Sequence, residues 1–231
     1  MAAGIVTTVD RALGTSGNGS ATTLSTDVLE QRVDVVAPGA REARTIERRS
    51  EVVFVAGGAG VLRVAGEEHP VAAGTGAFLG VGDSVELEAG DDGLQLVVAV
   101  TPGAEPRRPD ARPTVSIEER EARDAGIGRE FHLLVGPEHG CGSVTQFLGL
   151  IPPGRAKMHN HPYDEVAYVV EGSGVLHWHE GPSVPVGRGS CIHFPRLVFH
   201  SLENVGETPI RIMGVFHPAG SPADRVEVLD Y

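Results

Sequence analysis

Cysteine, aromatic residues and positive charge are all scarce in this chain. Its 231 residues include only two cysteines, Cys141 and Cys191, too few for a disulfide framework or a zinc knuckle. Two isolated thiols are typical of reduced, buried cysteines in a cytoplasmic protein. Lysine and arginine number 19 against 31 acidic residues, which gives a formal charge of −12. This balance argues against nucleic acid or an anionic membrane as a partner, because both require clustered basic side chains.

Long apolar runs and nucleotide-binding motifs are also missing. No segment approaches the roughly 20 apolar residues that are needed to span a bilayer. Residues 1–27 lack a basic region followed by an apolar core, so we expect no signal peptide and predict a flexible arm rich in Gly, Ser and Thr. The absence of GxGxxG after a strand, of a P-loop and of a GxSxG elbow indicates no nucleotide cofactor and no serine chemistry.

Glycine and proline are plentiful instead, at 31 and 16 residues, and they separate short segments rich in valine. Segments such as EVVFVAG, LQLVVAV, EVAYVVEG and IRIMGVF have the length and β-branched composition of strands. The pattern therefore predicts an all-β fold with many antiparallel strands. One helix is predicted over 116–126, where Ser116 and Glu119 can form a capping box and Gly126 can end it.

An internal repeat organises the chain. Residues 51–79 align with residues 165–192, and their closing strands also match. The aligned pairs are Glu51 with Glu165, Gly58 with Gly172, Gly60 with Gly174, Val61-Leu62 with Val175-Leu176, and, after a one-residue slip, Gly74 and Gly76 with Gly187 and Gly189. Two tandem β-sandwiches or small barrels follow. We predict an N-terminal unit over 28–106, a linker with the short helix over 107–129, and a C-terminal unit over 130–231.

The second copy carries side chains that suit a metal ion. His159 and His161 are two residues apart, so on a strand both side chains project to the same face. Glu165 begins the next strand, where it can meet them, and His200 follows in the segment PRLVFHSLEN. Three neutral imidazoles and one carboxylate suit Fe, Mn, Co, Ni, Cu or Zn and leave coordination positions open. The joint spacing predicts metal binding.

These stretches resemble the two motifs of the cupin superfamily, and the repeat makes the chain similar to a bicupin over residues 30–106 and 130–222. The resemblance implies two tandem double-stranded β-helix (jelly-roll) barrels, with one divalent transition metal of unknown identity inside the second. Carried over residue by residue, it implies four ligands: His159, His161, Glu165 and His200. The first motif departs from the family pattern, because four residues rather than five separate Gly154 from His159.

The first copy lacks this set of ligands. At the two histidine positions stand Arg44 and Ile46 when the count starts at Gly39, or Thr45 and Glu47 when it runs back from Glu51. Leu87 is expected at the place of His200, which leaves Glu51 alone. Because one carboxylate cannot hold a transition metal, we predict one metal per chain and a role for the N-terminal barrel as scaffold or dimer surface.

Other residues near the motifs are candidates for the pocket. Gln146, a polar residue in an apolar strand, can either hydrogen-bond a ligand inside the barrel or face outward. Tyr163 and His193 are candidate catalytic proton donors or acceptors, with a place at the rim as the alternative for each. His177 and His179 flank Trp178 and are assigned to a rim or an interface.

The resemblance implies a metal-dependent enzyme that acts on a small oxygenated metabolite. We favour a dioxygenase-type oxidoreductase, because the set of three histidines and one glutamate with vacant sites recurs there. The alternatives are a non-redox isomerase, lyase or decarboxylase, and a cupin that binds a small ligand without turnover. We expect a small-molecule substrate, no nucleic acid or membrane partner, and a homodimer paired through strand edges.

Overall fold

The computed structural model describes residues 4–9, 17–126 and 128–227, and it is built almost entirely of β-strands, so the all-β prediction is confirmed. The strands up to residue 116 are β1 Val6–Thr8, β2 Gly19–Ser25, β3 Glu30–Val36, β4 Arg41–Thr45, β5 Glu51–Val64, β6 Glu67–Ala72, β7 Thr75–Leu79, β8 Ser84–Val100 and β9 Thr114–Ser116. The later strands are β10 Arg123–Gly126, β11 Arg129–Leu133, β12 Thr145–Ile151, β13 Gly154–Arg155, β14 His159–Asn160, β15 Asp164–Glu171, β16 Ser173–Trp178, β17 Val184–Gly187, β18 Ser190–Phe194, β19 His200–Asn204, β20 Ile210–His217 and β21 Val226–Glu227.

Antiparallel pairing joins these strands into three sheets. One sheet has the order β2-β3-β8-β5-β7-β9, with β4 on β8 and β6 on β5, and it closes into the N-terminal barrel. A second sheet has the order β1-β18-β15-β20-β12-β11-β10. The third has the order β17-β16-β19-β14-β21, with β13 on β19, and it faces the second to form the C-terminal barrel.

The N-terminal barrel is held together by two long strands, β5 and β8. They pair from Glu51 opposite Val100 to Val64 opposite Val85, with two bulges that bend them around an apolar interior. Gly58 lies at the second bend with φ of 80°, and a Cβ there would come within 2.0 Å of the Gly93 carbonyl oxygen. Only glycine fits this position, because it needs both a left-handed backbone and a close backbone approach.

The two barrels share a buried interface. On β15, Ala167 and Val169 face the interior of the C-terminal barrel, whereas Val166 and Tyr168 pack with Val52 and other residues of the N-terminal barrel. A strand buried on both faces reads as a continuous apolar run, as EVAYVVEG does. The two cysteines are free and buried, as predicted. Both lie in this interface, and burial raises the pKa of each thiol to about 11.

The N-terminal segment differs from the predicted flexible arm. Val6–Thr8 pairs with β18 of the C-terminal barrel, with Val6 opposite Ile192, while Gly19–Ser25 pairs with β3 of the N-terminal barrel. Short runs of Thr, Val and Ser satisfy their backbone groups by adding to open sheet edges. β2 precedes residue 28 and β9 follows residue 106, so the N-terminal barrel extends past both predicted boundaries.

The predicted helix over 116–126 is wrong beyond its first turn. The capping box of Ser116 and Glu119 is present, but it caps a single 3-10 turn over Ile117–Glu119. None of the residues of this turn is buried, so a longer helix would have no apolar face to pack. Arg123–Gly126 pairs with β11 instead, as an edge strand. Among the described residues, no helix is long and apolar enough to cross a membrane.

Candidate metal centre

Strand pairing in the C-terminal barrel brings the two sequence motifs together. His159 on β14 lies directly opposite His200 on β19. His161 follows β14 immediately and shares the face of His159, as the two-residue spacing predicts. Glu165 stands on β15 between Phe194 of β18 and Phe216 of β20 and points into the same barrel interior.

The three imidazoles form a nearly equilateral triangle. Their ring centroids are separated by 4.9 Å between His159 and His161, 4.8 Å between His159 and His200, and 5.0 Å between His161 and His200. One nitrogen from each ring lies within 4.8 Å of the others, so the group could hold a metal ion. The carboxylate of Glu165 adjoins the triangle, with Oε2 3.9 Å from His161 Nε2.

Backbone hydrogen bonds fix the tautomers of two of these rings. The Nδ1–H group of His159 donates to the Lys157 carbonyl oxygen at 2.8 Å, and that of His200 donates to the Val198 carbonyl oxygen at 3.0 Å. Each bond leaves the Nε2 lone pair free and aims the ring. Orientation of a ligand ring through its second nitrogen is the usual arrangement at protein metal sites.

Burial determines the charge of the group. It lowers the pKa of His159 to about 4 and that of His161 to about 3, and it lowers the pKa of His200 as well. Burial also raises the pKa of Glu165 to about 8. Without a cation the rings are therefore neutral at pH 7 and the carboxyl group is mostly protonated. Neutral imidazoles are the form that binds metals, and a bound cation favours ionisation of the carboxyl group.

The donor set fits a divalent transition metal. Three imidazole nitrogens with one carboxylate match the preferences of Fe, Mn, Co, Ni, Cu and Zn, and do not select among them. Across residues 4–9, 17–126 and 128–227, no other group of three or more His, Cys, Asp or Glu side chains meets the same geometric condition. One metal per chain is therefore supported, and His159, His161, Glu165 and His200 stay the predicted ligands.

Tyr163 lies beside this group. Its ring stacks on His161 with a centroid distance of 4.9 Å and an interplanar angle of 9°, and on Phe216 at 3.9 Å and 15°. Burial raises the pKa of the phenol, and the charge of Glu165 adds to the effect. The hydroxyl group is thus fully protonated at neutral pH. Tyr163 also lines the pocket that opens onto the histidines, and its role as a proton donor stays a prediction.

A pocket with a cavity volume of about 90 Å³ opens onto the three histidines and Glu165. Its walls are mainly apolar, and they include Phe131, Phe147, Leu150, Ile151, Phe194 and Ile212. The charged residues at its opening are Arg129, Arg225 and Glu130. An apolar cavity with a few convergent polar groups is typical of a small-molecule site.

Two predicted pocket residues lie elsewhere, and both are corrections. Gln146 is fully buried but faces the other barrel, where its Nε2 donates to the Val53 carbonyl oxygen at 3.3 Å. His193 pairs across the sheet with Val166, which belongs to the face between the barrels, and hydrogen-bonds Asp164 Oδ1 at 3.1 Å. Neither side chain lines the pocket. Both strands are buried on two faces, so residue type does not reveal which face is the interior.

The histidines assigned to a rim or an interface also lie outside the pocket. His177 hydrogen-bonds Ser183 Oγ at 2.7 Å and Glu203 Oε2 at 2.8 Å, while the ring of His179 contacts Phe199. Sequence reasoning missed Arg129 and Arg225 at the pocket mouth. They belong to no motif, and only the fold brings β11 and the segment before β21 to the same opening.

Strand register locates the corresponding positions in the N-terminal barrel. Arg44 of β4 lies opposite Val85 of β8, just as His159 lies opposite His200. Of the two alignments that the sequence left open, the register supports the one with Arg44 and Ile46 at the histidine positions. Val85 takes the place of His200, which corrects the expected Leu87 by two residues. The same register pairs Gly74, before β7, with Gly189, before β18, rather than with Gly187.

Comparison with known families identifies the segment that carries the histidines. Residues 147–216 match the family model of the cupin domain, Cupin_2. This segment is therefore similar to a cupin domain. It spans less than a third of the chain, and it includes all four predicted ligands. No curated protein sequence matches the chain.

Solved structures of oxalate decarboxylase are similar over nearly the whole chain. A formate complex of the Lactobacillus farciminis enzyme matches 99% of this chain and 89% of its own length, with a TM-score of 0.80 and 13% identity. A mutant of the Bacillus subtilis enzyme matches 96% of this chain and 77% of its own, with a TM-score of 0.77 and 13% identity. At this identity the likeness shows the fold alone, and it confirms the predicted jelly-roll architecture.

Proposed function

We propose that the protein is a metal-dependent lyase that breaks a carbon–carbon bond next to a carboxyl or carbonyl group of a small oxygenated substrate. The observation that carries the proposal is the triangle of His159, His161 and His200 beside Glu165 at the base of a largely apolar pocket. The structural relatives are oxalate decarboxylases, which favours this alternative over the dioxygenase predicted from the sequence. The choice of a lyase rests on that likeness of fold.

The four predicted ligands would hold one divalent metal. Such a metal, when bound, polarises carbonyl or carboxylate oxygens and stabilises negative charge that develops on them. The buried hydrogen bonds of His159 and His200 keep their rings oriented before the metal arrives. The apolar walls exclude water around the reacting carbon, which strengthens each electrostatic contact inside the pocket.

The chain also supplies a proton donor. In a decarboxylation the electron pair of the broken carbon–carbon bond stays on the carbon that remains, and that carbon must then take a proton. The phenol of Tyr163 lines the pocket and carries its proton at neutral pH. Burial makes it a weaker acid than an exposed tyrosine, so it can protonate only a strongly basic centre such as the carbanion that loss of carbon dioxide leaves. Its ring is held in place between His161 and Phe216, so the hydroxyl group is positioned without loss of side-chain entropy during the reaction.

Product analysis with and without dioxygen tests this proposal. Metal-loaded protein should release carbon dioxide from at least one member of a panel of 2-oxo acids, 3-oxo acids and dicarboxylates, at the same rate in air and under nitrogen. Protein stripped of metal by a chelator is the control and should release none. Turnover that stops under nitrogen, with uptake of dioxygen in air, would instead support the dioxygenase. The predicted homodimer stays a separate prediction, which light scattering can check.

A further inference from the structure

Three polar side chains lie in a row on the outer surface of the C-terminal barrel. Leu176 of β16 and Leu202 of β19 belong to the apolar interior of this barrel. Because side chains alternate along a strand, His177 and Glu203, one residue further on, point away from the metal pocket. β17 pairs with the other edge of β16, and the register of this pair, extended by one residue, places Ser183 beside His177.

The imidazole of His177 is hydrogen-bonded through both of its nitrogens. Nε2 lies 2.8 Å from Glu203 Oε2, and Nδ1 lies 2.7 Å from Ser183 Oγ. An ionised carboxylate only accepts hydrogen bonds, so the proton of the neutral ring stands on Nε2 and donates to Glu203. Nδ1 then accepts the hydroxyl proton of Ser183. A serine bonded in this way to an imidazole, which is itself oriented by a carboxylate, is the arrangement of an activated nucleophile.

This group of side chains has no sequence motif. The sequence predicts no serine chemistry because the GxSxG elbow is missing, but that absence excludes only the elbow form. Nucleophile, base and acid recur on unrelated folds in different chain orders, and their geometry identifies them. Here the chain order is His177, Ser183 and Glu203, and only the pairing of three neighbouring strands brings the side chains together. The prediction of no serine chemistry therefore does not extend to this site.

The three side chains differ in their access to water. The side chains of His177 and Glu203 are 15% and 34% exposed, whereas Ser183 is exposed in the turn between β16 and β17. A substrate can thus reach the hydroxyl group from solvent. Because the position is open, it does not enclose a large substrate, and the rate must come from proton transfer and from a reactive leaving group. Small activated esters, such as aryl esters, meet this requirement.

We propose that Ser183 is a second reactive centre, which takes the acyl group of small activated esters with His177 as its general base. Ser183 Oγ bonds to the carbonyl carbon, the bond from that carbon to the leaving oxygen breaks, and the serine proton passes through His177 Nδ1 to the leaving alcohol. Water then gives a proton to His177 while its oxygen bonds to the acyl carbon, and the acid leaves as Ser183 regains its proton. Glu203 is a positioning residue that holds the tautomer of His177.

Acetylation by p-nitrophenyl acetate tests the inference on the metal-loaded protein. Release of p-nitrophenolate should begin with a burst, and peptide mapping by mass spectrometry should locate the acetyl group on Ser183. Ser183→Ala should remove the burst and the label. His177→Gln should slow acetylation of Ser183 about a hundredfold, which is a usual contribution of a general base. Ser173→Ala is the matched control and should change nothing, because Ser173 is an exposed serine on the same face of β16.

The pH profile separates a nucleophile from a serine that only hydrogen-bonds within the turn. The rate of acetylation should rise with pH until His177 is neutral and then level off, whereas a serine without a base reacts in proportion to hydroxide. Glu203→Gln should slow the reaction by at least about tenfold. Unchanged labelling of Ser183 in His177→Gln, or equal labelling of Ser173 in the wild type, would overturn the inference. So would hydrolysis that persists in Ser183→Ala and stops when a chelator removes the metal, since it would belong to the metal centre.

Discussion

Arg44 and Glu51 form a two-bond ion pair at the mouth of the N-terminal barrel. Arg44 Nη1 donates to Glu51 Oε1 at 2.8 Å, and Arg44 Nη2 donates to Glu51 Oε2. By strand register, Arg44 stands where the C-terminal barrel has His159, and Glu51 stands where it has Glu165. Arg32 Nη2 also donates to Glu51 Oε2, at 3.0 Å. Two guanidinium groups thus neutralise the negative charge of Glu51. We infer that this barrel holds no metal at the corresponding position.

The ion pair predicts a pH-dependent contribution to stability. Burial alone would raise the pKa of Glu51, but hydrogen bonds from Arg44 and Arg32 outweigh it and hold the pKa below its ordinary value of 4.5. A lowered folded-state pKa stabilises the fold above about pH 4.5, and the stabilisation is lost as the pH falls through the folded-state value. Glu51→Gln should therefore cost about 2–3 kcal/mol at pH 7, less than a fully buried pair, because Arg44 is partly exposed.

Urea unfolding at a series of pH values checks this prediction. The difference in free energy of unfolding between wild type and Glu51→Gln should shrink as the pH falls below about 4.5. Glu88→Gln removes a partly exposed partner of Arg41 and Arg63 and is the control, with a smaller expected change at every pH. A difference that is the same at pH 3 and pH 7 would contradict the assigned linkage.

His161→Ala should weaken metal retention while the fold persists. Loss of a direct ligand should lower the affinity by about tenfold at least, since even changes to groups that only support ligands cost 10–100-fold. Elemental analysis of protein purified without chelator should give about one metal per wild-type chain and well below that for the variant. His179→Ala is the matched control, because His179 contacts Phe199 outside the pocket. Full retention in His161→Ala would mean that the ligands are different.

Tyr163→Phe separates proton donation from packing. The variant keeps the ring that stacks on His161 and Phe216, so metal content and thermal stability should stay close to wild type. Loss of the phenolic proton should lower kcat by about a hundredfold, with KM little changed. Steady-state kinetics on a substrate found in the product screen would measure both. A kcat close to wild type would leave Tyr163 with a packing role only.

Gly58→Ala tests the backbone geometry of the N-terminal barrel. A Cβ at Gly58 would collide with the Gly93 carbonyl oxygen, and its φ of 80° is already unfavourable for alanine. We expect a loss of about 3 kcal/mol or more in the free energy of unfolding. Gly66→Ala is the matched control, since φ is 86° there but a Cβ would meet nothing within 4 Å, so only about 1 kcal/mol should be lost. Equal losses in the two variants would rule out the steric explanation.

The metal-binding group was accessible from the sequence because its geometry is local to strands. The two-residue spacing of His159 and His161 indicated a shared face, and the spacing of the segment PRLVFHSLEN from this pair indicated His200. The all-β architecture followed from turn residues between valine-rich runs, which need no long-range information.

The remaining features depend on contacts between distant segments. Gln146 and His193 were assigned to the pocket because both faces of their strands are buried. Alternation of apolar and polar residues along such a strand does not tell the barrel interior from the interface between the barrels. Arg129 was missed because its position beside the metal pocket depends on how β11 pairs with β12 and β10. The helix predicted over 116–126 does not form, because pairing of Arg123–Gly126 with β11 overrides the helix propensity of this segment.

The pairing of β1 with β18 sets an order on biosynthesis. The chain emerges from its N-terminal end, so Val6–Thr8 leaves the ribosome long before Ser190–Phe194 exists. The N-terminal barrel can complete its own sheet in the meantime, while this first strand waits as an unsatisfied edge. Addition of β1 to the second barrel therefore cannot precede the synthesis of β18, so this link between the two halves forms only after every strand of the N-terminal barrel has been made.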